Sequence, residues 1–160
     1  VKINTIVALR RCLVDEFMRK CYLIEGELSE ERIQACSGSE NMRIGAKATF
    51  EGYVREDLIN SSKVTALEFT AHPEIAIETA ESLITKYITN YKLIDARIFH
   101  SLGKVDVGNK CFQVEVFASH RKEAFLALPE IVNEFKSTVP LFGKELLDDN
   151  TYVWKENKYE

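Results

Sequence analysis

The chain has 160 residues, 46% hydrophobic and 29% charged, with 21 Lys and Arg against 25 Asp and Glu for a formal charge of −4. That length fits one domain, and the composition is that of a folded globular chain rather than a disordered one. The acidic balance argues against a nucleic-acid partner, whose protein surface carries net positive charge, while leaving room for a small basic pocket.

Four cysteines (Cys12, Cys21, Cys36, Cys111) and three histidines (His72, His100, His120) are scattered without Cys-x-x-Cys or any metal-ligand spacing. Reduced thiols are expected, with no metal and no bound cofactor. No apolar run is long enough to span a membrane, and the N-terminus lacks a secretory pattern, so the cytoplasm is the expected location.

In chain order, residues 1–21 read as a basic amphipathic helix, with Leu9, Leu13 and Phe17 at i, i+4, i+8. They form an extension to a domain spanning 22–160. A first strand at Cys21–Ile24 follows, then a short helix started by Ser29 with Glu30 and Glu31 in its first turn. Ala46–Arg55 alternates as a strand and Val64–Ala71 is the next. Pro73 opens a helix whose stripe is Ala76, Ala80, Leu83, Ile84 and Tyr87, ending near Asn90. Lys92–Ser101 reads as a strand closed by Leu102-Gly103-Lys104. Lys110–Ser119 is another, with Phe112, Val114, Val116 and Ala118 on one face. His120–Phe135 is a second long helix carrying Ala124, Phe125, Leu128, Ile131, Val132 and Phe135 as its stripe. Pro129 inside it predicts a kink or break near Leu128. A short strand at Thr151–Trp154 closes the chain. The order β, short α, β, β, α, β, β, α, β describes an α+β fold: a mixed or antiparallel sheet with helices on one face.

Cations at strand ends and helix termini mark the candidate chemistry. Arg55 ends a strand, and His120-Arg121 starts a helix whose N-terminus already favours anions. Lys136 ends that helix, and Lys144 follows it. Convergence of these groups would make one anion pocket. Each also has a plain structural role: surface ion pair for Arg55, helix start for His120-Arg121, dipole complement for Lys136. No phosphate loop, nucleophile elbow or metal cluster accompanies them.

Four blocks carry a resemblance. They are Gly45-Ala46-x-x-x-Phe50-x-Gly52-x-Val54-Arg55, then Leu67-Glu68-Phe69-x-Ala71-x-Pro73-Glu74-x-Ala76. His100-x-x-Gly103-x-x-x-x-Gly108 leads on to Ser119-His120-Arg121-x-x-Ala124-Phe125, and Phe135-Lys136-x-x-Val139-Pro140 is followed by Trp154. In order and spacing this chain resembles the catalytic (large) subunit of molybdopterin synthase, the MoaE family, over roughly 22–156. The resemblance implies an α/β hammerhead fold and a homodimer within a heterotetramer. Each large subunit would bind a small ubiquitin-like sulfur-carrier subunit (MoaD-like) by its thiocarboxylated Gly-Gly tail. Sulfur passes from that tail to cyclic pyranopterin monophosphate, forming the molybdopterin dithiolene in molybdenum cofactor biosynthesis. It makes Lys136 a catalytic lysine and gives substrate binding to Arg55, His120, Arg121 and Lys158.

Three departures stand out. Aligned without a gap, a second family lysine falls on Gly143, with Lys144 as the neighbouring candidate to replace it. The family His-Arg-x-Gly is His100-Ser101-Leu102-Gly103, and Glu-Ala-Tyr-Pro is Thr70-Ala71-His72-Pro73. The alternative is a non-catalytic member that keeps the tail groove without the chemistry.

Overall fold

The computed structural model describes residues 19–37 and 41–155. The helix expected before residue 19, and Lys158, lie outside the described residues. The elements are β1 (Cys21–Glu25), α1 (Glu30–Cys36), β2 (Ala46–Tyr53), β3 (Leu58–Ile59), β4 (Ser62–Ala71), α2 (Pro73–Tyr91), β5 (Asp95–Asp106), β6 (Lys110–Ala118), α3 (Arg121–Thr138), β7 (Leu141–Leu147) and β8 (Tyr152–Trp154). Cys21 opens the first strand, where the sequence places it, and pairs with Ile98. The backbone amides of Lys20 and Cys21 both donate to Glu81 on α2.

The strands form one mixed sheet in the order β2-β6-β5-β4-β7-β8, with β1 added parallel to β5 and β3 paired with β4. All pairings except β1–β5 are antiparallel. The long strand β5 serves two groups of partners. Its first half, Asp95 to His100, pairs with β6, and from Gly103 onward it pairs with β4. Gly103 therefore does not close the strand, as its sequence neighbourhood suggested, but carries it across the junction at φ +68. That left-handed conformation favours glycine, whereas the nearest atoms a Cβ would meet belong to the movable Glu25 carboxylate.

One sheet face is covered by α2 and α3. The α2 stripe expected from periodicity (Ala76, Ala80, Leu83, Ile84, Tyr87) is the buried set. It meets Ile98, Val114 and Val116 together with Ile131 and Phe135 of α3. The α3 stripe is narrower than the sequence suggests: Phe125 is 66% exposed, and Ala127 takes a core place instead. Hydrogen bonds from Tyr87 and Tyr91 to Glu134 and Glu130 tie the two helices together.

The opposite face is partly covered by α1, whose first turn is capped by the Ser29 hydroxyl accepting from the Arg32 amide. Leu28 and Ile33 pack there on Phe99, which stacks with Tyr22. The same face buries Gln113 and Glu115 of β6, so that strand is enclosed on both sides. Lys47 and the Gln113 amide both donate to Glu115, and Lys110 donates to Gln113, Glu30 and Glu51. Every buried polar group in that ladder has a partner, which is the condition for placing it there.

Two further sequence expectations change. Sequence patterning assigns no element to Leu141–Leu147, yet it forms β7 beside β4. Adjacent apolar residues Leu141-Phe142 and a central glycine mask its alternation. The break expected at Pro129 is absent, and α3 runs unbroken from Arg121 to Thr138. Pro129 is on the solvent side, where water satisfies the carbonyl that loses its amide partner. No helix among the described residues is long and apolar enough to cross a membrane.

Because Pro129 is exposed, Pro129→Ala should restore one helical hydrogen bond and stabilise the fold by up to ~3 kcal/mol. A higher urea midpoint at unchanged m-value is the expected result, and an unchanged or lower midpoint contradicts it.

Candidate functional site

The junction within β5 opens a cleft of about 400 Å³ between the two halves of the sheet. Its floor is aromatic. His100 lies against Phe69, Phe112 and Phe135, with ring centroids 4.8, 5.2 and 5.8 Å away. The Phe50 and Gly52 stretch of β2 makes one wall, and Gly143 and Glu145 of β7 make the other. Gly52 allows close strand approach, since a Cβ would meet Phe112 at 3.3 Å.

Lys136 enters from the last turn of α3, one residue after the buried Phe135. Its ammonium lies 5.5 Å from the Phe50 ring centroid and 6.0 Å from that of Phe112, as a cation over aromatic faces. Partial burial, then the positive charges of Lys155 and Arg55, hold its pKa below the usual lysine value. Arg55 stands at the rim, exposed and paired with Asp57 at 2.9 Å. Cys111 lines the same cleft, but burial pushes its thiol up to about 11, so it stays protonated near neutrality.

The His100 ring is neutral. Its Nδ1 lies 2.8 Å from the Ser101 carbonyl, which can only accept, so Nδ1 carries the proton. Burial brings its pKa down to about 4, with the Lys136 charge acting in the same direction.

The remaining expected residues are elsewhere. Alternation along β7 turns Gly143 and Glu145 to the cleft and Lys144 to the other face. There Lys144 lies 3.7 Å from Glu68, with its ammonium over the Tyr152 and Trp154 rings at 5.0 and 5.1 Å. It therefore does not replace a lysine missing at Gly143. Ser101 likewise follows His100 by one residue on β5 and lies off the cleft, fully buried beside β1. Its departure from the family pattern removes no charge from the site.

His120 and Arg121 do not join Lys136 within one chain. Arg121 begins α3 and Lys136 ends it, a separation of about 22 Å along the axis at 1.5 Å per residue. The pair lines a second, open hollow with Gly45, Ser119 and Lys122. Gly45 is required there, because a Cβ would fall 2.2 Å from the Ser119 carbonyl oxygen. Among the cleft residues that sequence reasoning did not propose are His100, Cys111, Glu145 and Lys155. His100 was visible as a motif residue, but the others depend on strand register. Among the described residues, no group of three or more His, Cys, Asp or Glu side chains is placed to hold a metal ion.

The model of the MoaE protein family matches residues 24–138. The molybdopterin synthase catalytic subunit of Pyrococcus abyssi is 35% identical over 127 residues, covering 79% of this chain and 82% of that one. The crystal structure of molybdopterin synthase from Staphylococcus aureus shares the fold, with a TM-score of 0.75 over 85% of this chain and 96% of that one at 22% identity. The complex of subunits 1 and 2 of molybdopterin-converting factor from Helicobacter pylori 26695 gives a TM-score of 0.66 at 20% identity, over 86% and 91% of the two chains.

The His100 environment sets a pH dependence of stability. Its folded pKa is about 4 against an ordinary 6.5, so between those values the unfolded chain binds more protons and stability falls as pH falls. The full effect is roughly 3 kcal/mol, complete below pH 4. In His100→Phe, denaturant midpoints measured from pH 7 to 4 should lose that component of the slope. An unchanged slope would show that His100 is not the group responsible.

Proposed function

The chain belongs to the MoaE protein family, and from that premise we infer that it is the catalytic subunit of a molybdopterin synthase. It transfers sulfur from the thiocarboxylated tail of a small ubiquitin-like subunit to cyclic pyranopterin monophosphate. The observation that carries the site assignment is the placement of Lys136: an ammonium over two aromatic faces, with Arg55 beside it, at the mouth of an aromatic cleft.

That chemistry suits the reaction. The thiocarboxylate and the phosphorylated pterin are both anions, and cations at one cleft offset their mutual repulsion. The Phe50, Phe69 and Phe112 rings give a flat pterin surfaces to pack on. The transfer breaks the carbon–sulfur bond of the tail, whose acyl carbon takes up oxygen and ends as a carboxylate, and makes a carbon–sulfur bond on the pterin in place of a carbon–oxygen bond. A lysine of lowered pKa supplies an amine that moves protons or takes the acyl carbon for one step.

The alternative of a non-catalytic groove rested on Gly143 and Ser101. Ser101 lies off the cleft and Lys136 remains within it, so only Gly143 still speaks for that alternative. Lys144 drops out of the proposed catalytic pair, and Lys158 stays a candidate substrate contact on the resemblance alone. The proposal includes a cytoplasmic location and the division into a 1–21 extension and a 22–160 domain.

His120 and Arg121 remain proposed substrate-binding groups, but one substrate meets both them and Lys136 only if a second copy brings its α3 start to this cleft. Homodimerisation is then a requirement of the site rather than an accessory, and two small subunits complete a heterotetramer.

Lys136→Ala should abolish molybdopterin formation in a reconstituted assay with thiocarboxylated small subunit and precursor, with unchanged thermal stability. Wild-type turnover would remove Lys136 from its role. Mixing inactive Lys136→Ala and Arg121→Ala chains under exchange should recover about a quarter of wild-type activity, since half the dimers are mixed and each has one intact site. No recovery would place the two groups in separate functions.

A further inference from the structure

The cleft contains a cation that no expectation assigned. Lys155 follows β8 directly, and its backbone amide donates to the Gly143 carbonyl at 2.8 Å. It is therefore the cross-strand neighbour of Gly143, one step beyond the Lys144–Trp154 pair. The two residues share the face that lines the cleft, whereas Lys144 and Trp154 share the other. A Cβ built on Gly143 would touch the Lys155 Cβ at 3.6 Å and the Phe69 ring at 3.4 Å. Gly143 thus leaves open the space beside which the Lys155 side chain rises.

We propose that Lys155 is the second ammonium of the reaction cleft, reaching it from the strand opposite Gly143, and that it binds the anionic group of the substrate alongside Lys136. This rests on the reading of the cleft as the site of sulfur transfer. Glu145, also on the cleft wall, accepts from the Lys155 ammonium at 3.2 Å and holds it at the mouth. An arriving phosphate or thiocarboxylate offers the same ammonium a second anionic partner, because three N–H donors serve more than one acceptor.

The charge of Lys155 is felt across the cleft: it lowers the pKa of Lys136 more than Arg55 does, and it lowers that of Cys111 as well. The other titratable groups on the cleft walls are Tyr53 at the end of β2, Asp57 after it, the neutral His100 of β5, and Glu145 of β7. Within the cleft the positive set is Arg55, Lys136 and Lys155, brought together from three separate stretches of chain.

The test uses the assembled two-subunit enzyme and four forms of the large subunit: wild type, Lys155→Met, Lys155→Arg, and the double variant Gly143→Lys with Lys155→Met. Lys155→Met should lower kcat/KM for the pterin precursor about 10- to 100-fold, with thermal stability kept. Lys155→Arg should recover part of the loss. The double variant, which returns the charge from the facing strand, should recover most of it. A second readout needs no turnover: in Lys155→Met the ammonium of Lys136, followed by the pH dependence of its modification by an amine reagent, should titrate at higher pH than in wild type. Wild-type kcat/KM in Lys155→Met, or a loss that the double variant leaves unrepaired, would overturn the proposal. An inactive wild type would instead count against the sulfur-transfer reading. In that case an unshifted Lys136 titration in Lys155→Met would still remove Lys155 from the cleft.

Discussion

The fold depends on how strand β5 crosses from one group of partners to another. It belongs with β6 up to His100 and with β1 up to Leu102, under the two long helices, and from Gly103 it belongs with β4 and, through β4, with β7 and β8. The crossing needs a left-handed backbone at Gly103, directly after the residue that β1 pairs with at Glu25. A continuous sheet would leave no concavity at this point. The change of partners leaves the ring of His100 at the bottom of a cleft walled by β2 and β6 on one side and β4 and β7 on the other.

That placement explains the electrostatics. Aromatic rings and a neutral imidazole make a floor that offers no compensating negative charge, so the cations above it are set against apolar surface and against each other. Both effects lower the pKa of Lys136, by disfavouring the charged form. The carboxylates Asp57 and Glu145 are engaged at the rim by Arg55 and Lys155. An anionic substrate entering this cleft meets positive charge with a low cost of displacing water from the ring faces.

Much of the fold was legible in the sequence because it obeys local periodicity. The five-residue stripe of α2, the Ser29 cap, Pro73 in the first turn and the alternation of β6 depend on neighbours within a few positions. Where local signals misled, tertiary contacts had overridden them. Gly103 read as a stop and became a hinge, Pro129 read as a break and lies on the solvent side of an unbroken helix, and β7 was hidden because both of its faces are partly covered.

By itself the sequence determined the α+β class, the family resemblance, and Arg55 and Lys136 as groups worth watching, because motif spacing and helix ends are properties of adjacent residues. Only the tertiary structure decided which cations share a cleft. It turned Lys144 away, brought Lys155 in opposite Gly143, and set His120-Arg121 a helix length from Lys136. The physical reason is that a strand reverses its face with every residue and a rigid helix keeps its two ends apart. A cluster assembled across strands is therefore fixed by register and topology, which no local stretch of sequence contains.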